Sequence, residues 1–171
     1  MNDATTLWSV LALSGGGKIE DHAENQRRAL QSLKESKPGV TIQSLALHAI
    51  VAHGFGQDGA PPARAKTLAD ELLARQNPDG GWSWTAEHKT SEAFSTGQAL
   101  YALGRIGRDG RDGADPAVER AWEFLLATQS SDGSWPVPQD AVNTRPRKLN
   151  VYSYWGTSWS AIGVLQTLPR P

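Results

Sequence analysis

One pattern of eleven residues occurs twice in this chain, and the two copies start 53 residues apart. Residues 72–82 read LLARQNPDGGW and residues 125–135 read LLATQSSDGSW, so both follow LLAxQxxDGxW. A period of this length is typical of architectures built from similar supersecondary units, each of which buries its apolar face against a neighbour. The repeat therefore predicts a stack of similar units, within a single domain that spans residues 1–171.

Each copy of the pattern combines a helix end with a turn and a large aromatic side chain. The leucines lie near the end of an amphipathic helix, and the glutamine occupies its last turn. Asp-Gly forms the following turn, where glycine takes a positive φ without steric cost. The tryptophan can fill the gap between helices, and the glutamine amide can bond loose backbone groups at the start of the next helix. We assign this structural role to Gln76, Asp79, Gly80 and Trp82, and to Gln129, Asp132, Gly133 and Trp135.

Two classes of helix alternate along the chain. The first class carries exposed charges and covers residues 20–34, 61–76 and 115–129. The second class opens with threonine, has few charges and covers residues 6–13, 41–50, 96–106 and 157–168. Helices with so few charges are buried on most sides, so we expect them to form an inner layer beneath the charged class. The fold class is therefore all-α, an array of α/α hairpins, and no segment favours a strand.

The composition excludes several kinds of site. A net charge of −1 gives no attraction for nucleic acid, and no apolar run reaches the roughly 18–20 residues of a transmembrane helix. The chain has no cysteine, which excludes disulfides and thiolate ligands. Because His48 and His53 are poorly spaced for a shared site, we expect no metal and no cofactor. The first residues lack the basic region of a signal peptide, which slightly favours a cytoplasmic location.

The two glutamine-to-tryptophan segments, residues 76–82 and 129–135, resemble the QW repeat (QxxDGxW) of squalene–hopene and oxidosqualene cyclases. Residues 95–103, STGQALYAL, resemble the inner-helix pattern of that family, and residues 151–161, VYSYWGTSWSA, resemble its aromatic segment. The resemblance implies an α/α toroid of the terpenoid cyclase and prenyltransferase type, of which this chain supplies about half. The chain is then one part of a toroid, or two copies complete one, or the array remains open.

The resemblance also implies an activity, polyene cyclisation, in which an aspartic acid of a DxDD motif protonates an isoprenoid. This sequence contains no DxDD motif. Without cysteine it also lacks a ligand of the zinc site that protein prenyltransferases use. The catalytic residues are therefore unknown, and Glu92 and His88, which precede an inner helix, are weak candidates for a divergent enzyme.

Aromatic residues near the threonine-led helices suggest a ligand cavity, because aromatic faces bind apolar groups and stabilise cations. We expect this cavity to be lined by Trp8, Tyr101, Tyr152, Trp155 and Trp159. The main hypothesis is a squalene-cyclase-like repeat domain that binds an apolar isoprenoid-type ligand without a DxDD acid. The alternative is a non-catalytic interaction or self-assembling scaffold, whose partner is a second copy or a larger chain that completes the toroid.

Overall fold

The computed structural model describes residues 3–15, 24, 28, 31, 36–54, 63–108, 115–137 and 151–168. The helices of this part are α1 (Asp3–Gly15), α2 (Ile42–Gly54), α3 (Ala63–Ala74), α4 (Ala93–Arg105), α5 (Pro116–Thr128) and α6 (Val151–Thr167). Among the same residues, the β-type pairing is an isolated antiparallel bridge between Thr41 and Thr85. The all-α class is therefore confirmed for the part of the chain that the structure describes.

The predicted helix boundaries agree with the structure to within about one turn, except at the last helix. Helix α6 begins at Val151, well before the threonine that was expected to open it. Thr157 donates its hydroxyl to the carbonyl oxygen of Ser153 at 2.8 Å, so this threonine lies inside the helix instead of at its start. The helix predicted over residues 20–34 lies almost wholly outside the described residues.

Acidic residues begin two of the helices. The carboxylate of Asp115 accepts a hydrogen bond from Ala117 N at 3.0 Å, and a proline occupies the first position of α5. The carboxylate of Glu92 accepts hydrogen bonds from Phe94 N and Ser95 N at the start of α4. Both side chains satisfy backbone N–H groups that have no partner within the helix.

Helix α4 lies at the centre of the packing. Its first eight residues are all buried, and it packs most extensively against α6 and also against α2. The α4 and α6 backbones approach closely because Gly97 and Gly163 have no side chains. A Cβ on Gly97 would overlap the backbone of Trp159, and a Cβ on Gly163 would overlap the carbonyl of Gly97.

One expectation about the threonine-led helices is wrong. Helices α2 and α4 are buried on most sides, but α1 exposes Thr5, Ser9 and Ala12. Helix α6 leaves Tyr154 66% and Leu165 71% exposed. Helix α6 packs its small residues against α4 and makes a minor contact with α5. Its other face is left to solvent within the described part of the chain, so its apolar residues there remain uncovered.

Candidate functional site

The two glutamines of the repeated motif close equivalent turns. Gln76 Nε2 donates to the carbonyl oxygen of Gly80 at 2.8 Å, and Gln129 Nε2 donates to that of Gly133 at 3.0 Å. Both glycines have a positive φ, of 87° and 83° respectively, a conformation that glycine adopts without strain. The predicted helix stop and turn therefore have the same local structure in both copies.

The two tryptophans of the motif are buried and hold the preceding helix. Trp82 Nε1 donates to the carbonyl oxygen of Leu72 at 2.8 Å, and Trp135 Nε1 donates to that of Leu125 at 2.7 Å. Each indole therefore binds a carbonyl near the helix C-terminus and adds to a local donor, which is Arg75 N for Leu72 and the Thr128 hydroxyl for Leu125. Trp82 and Trp135 thus each connect the motif to the helix before it.

Threonines connect each motif to the helix that follows it. Trp82 N donates to Thr96 Oγ1 at 3.0 Å, and Trp135 N donates to Thr157 Oγ1 at 3.0 Å. Thr96 in turn donates its hydroxyl to the carbonyl oxygen of Glu92 at 2.8 Å. The threonines of α4 and α6 thus fix the position of these helices relative to the tryptophans.

The aspartates stabilise the turns themselves. Asp79 Oδ1 accepts hydrogen bonds from Gly81 N at 3.1 Å and from Ser91 Oγ at 2.7 Å. Asp132 Oδ1 accepts from the backbone N of Ser134 at 3.0 Å and from its hydroxyl at 2.7 Å. These hydrogen bonds from Ser134 lower the pKa of Asp132, because they favour the ionised carboxylate.

The first motif makes contacts that the second does not make among the described residues. Gln76 Nε2 also donates to the carbonyl oxygen of Ala117 at 2.8 Å, and Arg120 donates to Gln76 Oε1. Gln76 therefore joins its turn to the first turn of α5. Gln129 is exposed, and no described helix lies over it. The expectation that each glutamine binds the start of a following helix thus applies to Gln76 alone within this part of the chain.

Three of the five aromatic residues predicted to bind a ligand lie together. The ring centroids of Trp8 and Trp159 are 5.6 Å apart, and those of Tyr101 and Trp159 are also 5.6 Å apart. They surround a cavity of about 10 Å³, which is close to the space one water molecule needs. No charged residue contributes to its wall, which consists of Trp8, Gln43, Ala46, Leu47, Ile50, Gln98, Tyr101 and Trp159.

The other two predicted ligand residues lie in a separate aromatic cluster. The rings of Tyr152 and Trp155 are in edge contact, with centroids 5.5 Å apart. Trp155 also contacts Phe94 at 6.0 Å, and Phe94 stacks on Trp84 at 5.6 Å. Trp155 is 51% exposed, so this cluster lies partly at the surface. The structure does not bring Tyr152 and Trp155 to the cavity lined by Trp8.

Two glutamines of the cavity wall were not predicted. Each threonine-led helix places one residue of the cavity wall two positions after its threonine. These residues are Trp8, Gln43, Gln98 and Trp159. Aligning the four threonines would have placed these side chains at one common position. Gln98 is 3% exposed, and neither side-chain amide atom has a hydrogen-bond partner among the described residues. A buried amide without a partner is unfavourable by about 1–3 kcal/mol, which makes Gln98 an unusual wall residue.

The two weak catalytic candidates lie away from this cavity. Both oxygens of the buried Glu92 carboxylate accept backbone N–H groups, from Phe94 at 2.7 Å and from Ser95 at 2.8 Å. Burial raises the pKa of Glu92, and the hydrogen bonds from Ser95 and Phe94 oppose this rise. His88 is exposed, with Nδ1 2.8 Å from Thr85 Oγ1. Neither residue belongs to the cavity wall, so the described residues place no acid or base there.

The described residues contain no group of three or more His, Asp or Glu side chains arranged to hold a metal ion. Within the same residues, no helix has both the length and the apolar character needed to cross a membrane.

Comparison with known proteins gives one informative similarity. No family model matches the chain. The chain is 37% identical over 107 residues to drimenyl diphosphate synthase from Streptomyces showdoensis. The match covers 63% of this chain and 19% of that protein, so the chain corresponds to about a fifth of the relative's length. This similarity supports a relationship between the chain and the terpenoid cyclases.

Proposed function

We propose that the chain is a terpenoid-cyclase-like repeat domain that contributes an aromatic wall to the binding of an apolar isoprenoid-type ligand. The observation that carries this proposal is the convergence of Trp8, Tyr101 and Trp159, from three different helices, on one uncharged cavity. Aromatic faces suit the apolar chain of an isoprenoid and any carbocation formed from it. The similarity to drimenyl diphosphate synthase supports the same class of ligand.

The size of the cavity determines how a ligand would enter. A volume of about 10 Å³ cannot hold an isoprenoid, because the side chains of Trp8 and Trp159 fill the space between their helices. Trp8 is carried by α1, whose buried residues Leu7 and Val10 pack in a small cluster apart from the main core. Movement of α1 would therefore open the cavity, with loss of the contact that Leu11 makes with the core around α4.

The proposed role is binding, without a catalytic acid from this chain. The sequence has no DxDD motif, and the carboxylate of Glu92 already caps α4. We propose accordingly that the chain forms part of an α/α toroid, in which the protonating residue would come from elsewhere. Supporting this view, the relative is about five times longer than the matched segment.

A matched pair of tryptophan variants on α6 tests the ligand proposal. Trp159→Ala removes a wall of the cavity, whereas Trp155→Ala removes an indole of the separate surface cluster. We expect Trp159→Ala to raise the dissociation constant for farnesol about tenfold, as loss of roughly 1.4 kcal/mol of aromatic contact predicts, and Trp155→Ala to leave it unchanged. Isothermal titration calorimetry measures both, with melting temperatures recorded alongside. Equal weakening by the two variants, or no farnesol binding by the native chain, would refute the proposal.

A second function, an interaction scaffold, is favoured by a different observation. The cavity is narrowed by the protein's own indoles, while Tyr154, Leu165 and other apolar residues of α6 are exposed. Exposed apolar surface that runs along one helix is typical of a site for another protein surface.

A further inference from the structure

The exposed face of α6 has the spacing of a helix-packing surface. Five exposed residues follow one another at alternating intervals of four and three residues. They are Tyr154, Ser158, Ala161, Leu165 and Leu168. This spacing places them on one stripe of the helix. We name these five residues the α6 stripe. Helix α6 contains no charged residue, so the stripe is apolar or neutral throughout.

The equivalent stripe of α4 is already covered within this chain. An alignment of Thr96 with Thr157 pairs three residues of the α6 stripe with residues 97, 100 and 104 of α4. The stripe residues are Ser158, Ala161 and Leu165. All three α4 residues are buried, and a Cβ added at either of the two glycines would overlap residues of α6. The contact between α4 and α6 therefore shows which kind of helix surface covers a stripe at these positions.

The covering surface on α6 consists of small residues. Gly156, Ser160 and Gly163 are buried and lie four and three residues apart. Ser160 and Gly163 face α4, while a Cβ on Gly156 would meet Val137 and the Trp135 carbonyl before Ala93 of α4. The hydroxyl of Ser160 donates to the carbonyl oxygen of Ala93 at 3.1 Å, and a Cβ on Gly163 would overlap α4. Packing between these helices thus pairs a stripe on one helix with a row of small side chains on the next.

Helix α1 exposes the same row of small positions. An alignment of Thr6 with Thr157 pairs three residues of α1 with the buried small residues 156, 160 and 163 of α6. The α1 residues are Thr5, Ser9 and Ala12. All three are exposed, and the Ser9 hydroxyl is directed back to the Thr5 carbonyl oxygen at 2.9 Å. We name these three residues the α1 row. The chain therefore carries an uncovered stripe on α6 and an uncovered row on α1.

We propose that the α6 stripe of one molecule binds the α1 row of a second copy, continuing the α4–α6 type of packing from one molecule to the next. Neither surface contains a charged residue, so no ion is desolvated and no like charges meet. The side chains of the α1 row are larger than the glycines of α6, so the two helices would lie at an ordinary packing distance of about 8–10 Å. This head-to-tail contact does not depend on ligand binding.

Two charge-introducing variants test this contact. Leu165→Glu disrupts the stripe and Ser9→Arg disrupts the row, while each leaves the other surface intact. Sedimentation equilibrium across a wide concentration range should show self-association of the native chain and at least a tenfold higher dissociation constant for each variant alone. A mixture of the two variants should form a 1:1 complex and no larger species, because each partner retains one working surface.

Matched controls separate this contact from general effects of the substitutions. Leu126 on α5 is 73% exposed, so Leu126→Glu controls for the loss of an exposed leucine. Thr67 on α3 makes the same type of bond to a preceding carbonyl as Ser9, so Thr67→Arg controls for the added arginine. Both controls should associate like the native chain. If circular dichroism shows that Ser9→Arg unfolds α1, Thr5→Arg tests the same row.

Three outcomes would overturn the proposal. The first is a native chain that remains monomeric at every concentration. The second is self-association of Ser9→Arg alone together with loss for Leu165→Glu, which would indicate a twofold contact between two α6 helices. The third is equal weakening by the control variants. None of these outcomes bears on farnesol binding, so the ligand proposal is judged separately.

Discussion

At the scale of single residues, the two copies of the motif show that one local structure can differ in its contribution to stability. Gln76 and Gln129 close the same type of turn, but Gln76 also bonds to the start of α5. A Cβ on Gly80 would overlap the backbone of Arg120, whereas the space beside Gly133 is open apart from the Gln129 amide. We therefore expect the contribution of each motif residue to stability to depend more on the helix that packs over it than on the turn to which it belongs.

The two glutamines provide a matched experiment. Gln76→Ala removes hydrogen bonds to two carbonyl groups and leaves Arg120 without its acceptor, so we expect the free energy of unfolding to fall by about 1–3 kcal/mol. Gln129→Ala removes one exposed bond and should lower it by less than about 0.5 kcal/mol. Urea denaturation monitored by tryptophan fluorescence measures both. Losses of equal size would show that α5 adds nothing to the first turn.

The turns of the motif are accessible to prediction from sequence because their structure is local. The motif residues determine the helix end, the positive φ of Gly80 and the direction of Trp82 through contacts close in the chain. The aromatic cavity was predicted less completely. Its composition depends on what packs against α6 at each level of the helix. Trp159 contacts Trp8 and Tyr101, whereas Trp155, one turn earlier, contacts Phe94.

At the scale of helices, the close contact between α4 and α6 organises the fold. Small residues allow the backbones of these two helices to approach each other closely, and the structure identifies Gly97 and Gly163 as the points of contact. Periodicity identifies which face of a helix is apolar. It does not reveal whether a neighbour is present to cover that face, which is why the exposure of α6 was not predicted.

A substitution at Gly97 tests this contact directly. Gly97→Ala places a methyl group against the backbone of Trp159, where no flexible side chain can move aside, so we expect a loss of about 1–3 kcal/mol in the free energy of unfolding. Gly54→Ala is the control, because nothing lies within 4 Å of a Cβ at that position. This change should be neutral or stabilising. Chemical denaturation distinguishes the two, and a Gly97→Ala variant as stable as the control would contradict close packing.

At the scale of the molecule, α1 is held differently from the other helices. Leu7 and Val10 pack with Leu47 and Val51 of α2 in a small cluster, while the main core gathers around α4 and the two motif tryptophans. A helix held by few buried side chains opens at a lower free energy than the core does. The position of α1 matters because this helix carries Trp8 into the cavity and also presents the proposed α1 row.

Hydrogen exchange measures whether α1 opens independently. We expect its backbone amides to exchange at least tenfold faster than those of α4, since local opening of α1 leaves the main core intact. Val10→Ala should accelerate exchange in α1 further while leaving α4 unchanged, because the side chain it shortens belongs to the small cluster. Farnesol should slow exchange in α1 if this helix closes over the ligand. Exchange of α1 and α4 at one common rate would mean that the molecule opens as a unit, which would contradict independent opening of α1.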